Sequence, residues 1–260
     1  MDGVRRIRHE EQPLNAAATD QLRLLDVQAL DSQVDQLEHR RRGLPVHARI
    51  QQLSQRLTEL RDLIVGAQTE ESDIAREQNK AESDVDQVTA RADRDQQLLN
   101  SGRVGSARDL ESLQHEIGSL NRRQAALEDV VLDVMERRET VQQRLAQLVE
   151  ERDQLTGELA DAEKERDVAV NDIDQQVAAA AADRADTARE LPLDLLTLYE
   201  KLRAQHDGVG AAALHRRRCE GCRLELNSIE LSRISQASPD EVLRCEECRR
   251  ILVRTADSGL

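Results

Sequence analysis

The chain has 260 residues, room for one or two domains. It has no Trp, no Phe and a single Tyr, Tyr199, against 34% charged residues. That excludes the aromatic-filled core of a compact enzyme, while the periodicity described below excludes disorder and leaves long helices built on Leu, Val, Ile and Ala. The net charge of −14 repels polyanions, but it is unevenly spread. Residues 1–205 carry 28 basic and 42 acidic side chains, and residues 206–254 carry 9 and 8. Any contact with nucleic acid is therefore confined to the C-terminal fifth.

Residues 1–13 read as an N-terminal tail. Met1-Asp-Gly-Val-Arg-Arg-Ile-Arg8 leads into no apolar run, so no secretory signal is expected. No stretch approaches the ~18 apolar residues that span a bilayer. A cytoplasmic setting without a membrane partner is the expectation. The preference for Arg, 34 against 3 Lys, points to a GC-rich bacterial genome.

Residues 14–192 read as one antiparallel coiled-coil hairpin. Nothing between Pro45 and Pro192 is proline, and a proline inside a helix costs about 3 kcal/mol, so the gap permits very long helices. In its second half, one column runs Leu113, Leu120, Leu127, Val134, Val141, Leu148, Leu155 and Ala162. The other runs Leu110, Ile117, Gln124, Val131, Arg138, Leu145, Arg152 and Leu159. Alternating steps of three and four define a left-handed coiled-coil seam.

The first half repeats the pattern through Leu53, Leu60, Ala67, Ile74 and Ala81, beside Ile50, Leu57, Ile64, Glu71, Gln78 and Val85. Leu30, Val34, Leu37 and Leu44 continue it upstream. The step from Leu44 to Ile50 is one residue short of a heptad, so a kink or helix restart is expected at 43–46. Gly102 and Gly105 permit a reversal at a tip near 100–108. Ser106 with Asp109 resembles a capping box that opens the return helix. At 1.5 Å per residue the arms would be roughly 130 Å long. In this register Glu71 faces Arg138. The two side chains either pair and fix the alignment or snorkel to solvent.

Pro192 ends the hairpin. Residues 193–205 form a connecting amphipathic helix, and 206–256 a small β-rich domain, which the cysteines that follow make a zinc ribbon. The expected fold class is thus mainly α. Cys219-Glu-Gly-Cys222 and Cys245-Glu-Glu-Cys248 hold every cysteine of the chain. Two C-x2-C knuckles of this spacing converge on one metal ion. Zinc is the first expectation, and iron in a rubredoxin-like site is the rival. Four thiolates leave no open coordination position, so the ion is structural rather than catalytic. It replaces a core that an aromatic-free domain of this size lacks. Ala211–Leu214 and Ile251–Arg254 read as strands, and Ser228–Ser235 as a helical turn.

Arg216, Arg217 and Arg218 on one side, and Arg249, Arg250 and Arg254 on the other, flank the knuckles. They serve either phosphate contacts or charge balance around four thiolates. Without aromatic rings for stacking, a nucleic-acid contact would run through arginine. The six histidines are scattered, and Gly102-Arg-Val-Gly105 is too short for a phosphate loop. No enzyme is expected.

The hairpin, the proline-marked exit and the two knuckles resemble the bacterial C4-type zinc ribbon domain proteins. The resemblance rests on Ser106-Ala-Arg-Asp-Leu-Glu-Ser-Leu-Gln-His-Glu-Ile117, Leu127-Glu-Asp129, Tyr199-Glu-Lys-Leu-Arg203 and Arg244-Cys-Glu-Glu-Cys-Arg-Arg-Ile-Leu252. It implies zinc ligation by the four cysteines. It also implies an accessory role on the nitrogen-type sigma factor, on flagellar or secretion components, or on messenger RNA. Such ribbons commonly carry Gly after the last Cys; here Arg249 stands there. The expected function is a non-enzymatic adaptor whose rigid arm carries a ribbon that docks DNA, RNA or protein, linked to transcription or RNA metabolism. The alternative is a protein-only scaffold with a purely structural ribbon. The exposed flanks of the coil leave room for a weak homodimer.

Overall fold

The computed structural model describes residues 14–260, so the tail of residues 1–13 lies outside the described residues. The order is α1 (Ala18–Arg42), α2 (Pro45–Asn100), α3 (Ala107–Arg189), α4 (Leu193–Gln205), β1 (Ala211–His215), β2 (Arg218–Cys219), α5 (Ser228–Gln236), β3 (Leu243–Arg244) and β4 (Ile251–Arg254). The chain forms two compact units. One holds Val46–Lys164, the other the described residues up to Pro45 with Glu165–Leu260.

The heptad slip at 43–46 is a full break. α1 ends at Arg42, and the Gly43 N–H reaches the His39 carbonyl. Pro45 then opens α2, in the first turn, where the N–H it lacks would have no partner within the helix.

In the unit 46–164, α2 and α3 run antiparallel. Leu53, Leu60, Ala67, Ile74 and Ala81 are buried on α2, and Ile117, Leu127, Val134 and Val141 on α3. Ile64 and Ala162 are buried as well, and the remaining seam residues are half-buried, since two helices alone cannot cover their flanks. Cross-helix ion pairs mark the register. Partner numbers add to 207 at Arg56–Glu151 and at Arg91–Glu116, and to 209 at Glu71–Arg138.

Arg138 Nε donates to Glu71 Oε1 at 2.9 Å, Gln142 Nε2 donates to the same oxygen at 3.0 Å, and Arg138 also reaches Gln78 Oε1. The pairing reading thus prevails over snorkelling. The bonds from Gln142 and Arg138 hold the Glu71 carboxyl below its ordinary pKa. At the tip, the Asp109 N–H donates to Ser106 Oγ at 3.1 Å, and the same hydroxyl donates to Asp109 Oδ2 at 2.6 Å. The cap forms, with the acid binding the serine hydroxyl instead of its N–H.

The other unit packs α1, the end of α3, α4 and the ribbon. The buried residues of α1 are Gln21, Leu24, Val27, Gln28, Asp31 and, from the expected seam, Leu37. Leu30 and Val34 of the expected seam are only half-buried. The reason is that α1 serves α4 and the ribbon as well as α3.

Leu24 and Val27 pack with Leu195, Tyr199, Leu202, Ala211, Ile251 and Val253. Asp31 is the polar centre of this core. Tyr199 donates to its Oδ2 at 2.7 Å, and Arg184 donates to Oδ1 at 3.2 Å. Arg203 adds an ion pair at 3.5 Å and reaches Asp35 with both contacts at 3.0 Å. Burial, then the bond to Asp31, pushes the Tyr199 hydroxyl pKa far up, so it stays a donor.

Two outcomes are expected. Asp31→Ala leaves Arg184, Arg203 and Tyr199 facing a void and costs about 3–5 kcal/mol in chemical denaturation, the usual toll of unpairing a buried charge cluster. Glu71 has a lowered folded-state pKa, so its contribution is present above the unfolded carboxylate range and is lost as pH falls through the folded value. Wild type should therefore melt above Glu71→Gln at neutral pH, and the gap should close below about pH 4.

Candidate metal centre

The ribbon is a four-stranded sheet in the order β2-β1-β4-β3. Two antiparallel hairpins, β1–β2 and β3–β4, are joined by parallel pairing of Ala211–Leu214 with Ile251–Arg254. Side chains alternate across a sheet. Ala211, Ile251 and Val253 therefore face α1 and α4, while Ala212, Leu214, Leu243 and Leu252 pack with Leu226, Leu231, Ile234 and the cysteines.

The knuckles bring all four thiols together. Cys219 Sγ lies 3.9 Å from Cys248 Sγ, and Cys222 Sγ 3.9 Å from Cys245 Sγ; all four sulfurs fall within 4.8 Å of one another. A tetrahedron with Zn–S of about 2.3 Å has edges of about 3.8 Å, so the donor set fits one ion. Disulfide sulfurs would sit about 2.05 Å apart.

Backbone N–H groups of Gly221 and Cys222 point at Cys219, and those of Glu247 and Cys248 at Cys245. Burial nevertheless dominates at both thiols, raising the Cys219 pKa strongly and that of Cys245 to about 11. At Cys248 burial is outweighed by hydrogen bonds from the Arg250 backbone and side chain, and the net shift is downward. The ion thus supplies the charge that keeps the buried sulfurs ionised.

Each knuckle closes through a left-handed residue. Arg223 (φ 64°) donates its N–H to the Cys219 carbonyl at 2.7 Å, and Arg249 (φ 62°) donates to Cys245 at 2.8 Å. Arginine thus takes the conformation that glycine commonly supplies after the last cysteine, and both turns close alike. Gly221 is required by space: a Cβ there would sit 2.9 Å from Arg250 Cδ and 3.0 Å from Ala212 Cβ.

The six flanking arginines divide into two groups. Arg250 Nε donates to the Val209 carbonyl at 2.9 Å and NH2 to the His206 carbonyl at 3.2 Å, which clamps the entry loop. Arg254 binds the carbonyls of Ile234, Ala237 and Pro239 and so closes the C-terminal end of α5. Arg216, Arg217, Arg218 and Arg249 are exposed.

Arg216 (φ 47°) and Arg217 (φ 65°) form the two-residue turn between β1 and β2. Their N–H groups donate to the carbonyls of Asp257 at 2.7 Å and Ser258 at 2.8 Å. Ser258 is itself buried and donates to the Leu214 carbonyl at 3.1 Å. The C-terminal residues thereby brace the turn.

Sequence reasoning missed three polar supports. Glu230 is 2% exposed, and its Oε1 accepts from the Glu246 N–H at 3.1 Å inside the second knuckle. Its signal was legible, since Asn227-x-x-Glu230 has capping-box spacing and Asn227 does cap α5. Gln28 Oε1 accepts from the Gly210 N–H at 2.7 Å, while its Nε2 donates to the Gly208 carbonyl at 3.0 Å. Gln21 Nε2 bonds the carbonyls of Ala16 at 2.8 Å and Pro239 at 3.2 Å. A glutamine on a helix reads as solvated, so neither had a signal.

The fold and site define a helical hairpin carrying a closed, four-thiolate zinc ribbon. Residues 27–207 match the CT398-like coiled coil hairpin domain, and residues 218–252 the C4-type zinc ribbon domain. The chain belongs to this family of coiled-coil hairpin proteins with a C4 zinc ribbon, and its ion is zinc. An uncharacterized protein of Mycobacterium tuberculosis is 37% identical over 241 residues, 93% of this chain and 98% of the relative. A solved structure from Mycobacterium smegmatis is 34% identical with a TM-score of 0.82, covering 93% of this chain and all of that one. CT398 from Chlamydia trachomatis is 17% identical with a TM-score of 0.67 over 91% of this chain and 98% of its own, a likeness of fold.

Zinc uptake by metal-free protein should release protons at pH 7, because free thiols, with an ordinary pKa of about 8.5, are mostly protonated there and bind the ion as thiolates. Titration calorimetry in buffers of different ionisation enthalpy measures that release, and affinity should fall as pH falls. Cys219→Ser should abolish uptake and the sheet signal of the ribbon while leaving helical circular dichroism largely intact.

Proposed function

We propose that the chain is a non-enzymatic adaptor whose ribbon docks a polyanionic partner, DNA or RNA, through the Arg216–Arg217–Arg218 turn, with a role in transcription or RNA metabolism. One observation carries the reading. A two-residue hairpin turn with positive φ at both positions favours Asn-Gly. Here two arginines occupy it, at about 1–2 kcal/mol each, and the backbone of Asp257 and Ser258 has to hold them. Strain retained at an exposed basic tip is accounted for by what the side chains present, not by the turn. The zinc, with no open position, acts on structure alone, and the acidic remainder of the chain keeps a polyanion at the ribbon.

The alternative, a protein-only scaffold, is favoured by Arg250 and Arg254. Their guanidinium groups are engaged by carbonyls, which narrows the basic surface.

The test separates stability from binding. Arg216→Asn/Arg217→Gly should raise the melting temperature of the ribbon and lower affinity for single-stranded RNA or duplex DNA. Arg216→Ala/Arg217→Ala/Arg218→Ala should reduce the slope of log K against log salt by about 2–3 for duplex DNA. Absence of binding at low salt in wild type would leave the scaffold.

A further inference from the structure

The middle of the unit 46–164 carries a surface that neither the zinc nor the seam explains. Val130, Leu132 and Met135 of α3 are 48%, 58% and 46% exposed. Val131 and Val134 belong to the seam, whereas Leu132 stands one residue beyond it, where a surface helix is ordinarily polar. With Val131 and with Val85 of α2, Leu132 floors a groove of about 310 Å³ rimmed by Glu82, Asp86 and Glu128.

The charge around this groove has one sign. Between Lys80 and Arg91, α2 carries three acids and no base; between Arg123 and Arg137, α3 carries four acids and no base. At the border Asp133 lies 4.0 Å from Arg137, which is bound chiefly to Glu77. Away from this window, cross-helix pairs such as Arg56–Glu151 and Arg91–Glu116 mix the signs.

We propose that this patch is the docking site for a basic amphipathic helix of another protein. An apolar side chain of that helix sits on Leu132 in the groove, and its Lys or Arg residues lie over the acidic rim. Charge complementarity selects the occupant. A polyanion is repelled. A second copy meeting the patch face to face would set seven acids against seven, since a two-fold contact uses the same surface twice. The proposal is independent of the ribbon, so either can fail alone.

The probe is a synthetic helical peptide with Leu at i, i+4 and i+7 and Lys between, titrated by fluorescence anisotropy into the zinc-loaded full chain at physiological salt. Expected are binding, an affinity about tenfold lower for a scrambled peptide of the same composition, and a loss of about tenfold with Leu132→Gln. Leu132 is exposed, so that variant should keep its circular dichroism and melting temperature. Glu82→Gln/Asp86→Gln/Glu128→Gln should also weaken binding about tenfold and flatten its salt dependence. Glu158→Gln/Asp161→Gln/Glu163→Gln, the same loss of charge elsewhere on α3, should change neither.

Three results would overturn the proposal. One is equal binding of the scrambled peptide. Another is equal loss from both triple variants, which is general attraction to an acidic chain. The third is a concentration-dependent dimer in light scattering that Leu132→Gln dissolves, which gives the patch to a second copy.

Discussion

Four thiolates closing on one zinc ion are the constraint on which the C-terminal sheet rests. Its strands are two to five residues long, too short to persist by ladder bonds alone. The metal fixes the two knuckles, and the knuckles fix where β1 meets β4. That parallel pairing gives the sheet two faces. One packs on the cysteines and α5, the other receives Leu24, Val27 and Tyr199. Zinc therefore orders more than the residues that touch it: the surface against which α1 and α4 are buried is a product of coordination.

The helical part solves a different problem, specificity without bulk. Leucine, valine and alanine columns bury enough surface to hold two helices together but tolerate sliding by a heptad. Polar residues supply the discrimination. Glu71 lies in the seam where a leucine would have packed; Arg138 and Gln142 donate to it, and Gln78 accepts from Arg138. At the base Asp31 does the same for α1, α3 and α4 through Tyr199, Arg184 and Arg203. A shifted alignment would strand these groups, so they penalise wrong registers more than they strengthen the right one.

Much of this was legible in the sequence, for identifiable reasons. The heptad columns, the slip before Pro45, the glycine tip, the placing of Glu71 opposite Arg138 and the metal ligands are encoded in spacing, which one dimension preserves; that those two side chains pair was not. The polar stitching was not. Gln28 and Gln21 are ordinary helix residues until the ribbon arrives some 180 and 218 positions later. Leu30 and Val34 continue a heptad, yet α1 turns another stripe inward because it has three neighbours. The division among the arginines was also hidden. Arg249 and Arg250 are adjacent in sequence, but one is exposed and the other clamps the loop at His206 and Val209.

The short segment at the start of the described chain has a bearing on how the molecule is made. Ala16 donates its N–H to the Asp240 carbonyl at 2.8 Å, and Leu14 accepts from Val242 at 3.0 Å. α1 finds its carbonyl and N–H partners at Gly208 and Gly210. On the ribosome these pieces emerge long before their partners. α2 and the first part of α3 can close on themselves during translation, because their contacts span the tip. α1, with Gln28 and Asp31 on its inward stripe, has to wait for nearly the whole chain and then for a metal ion. Completion of that unit thus waits for zinc, and an interrupted synthesis would release one unit finished and the other not.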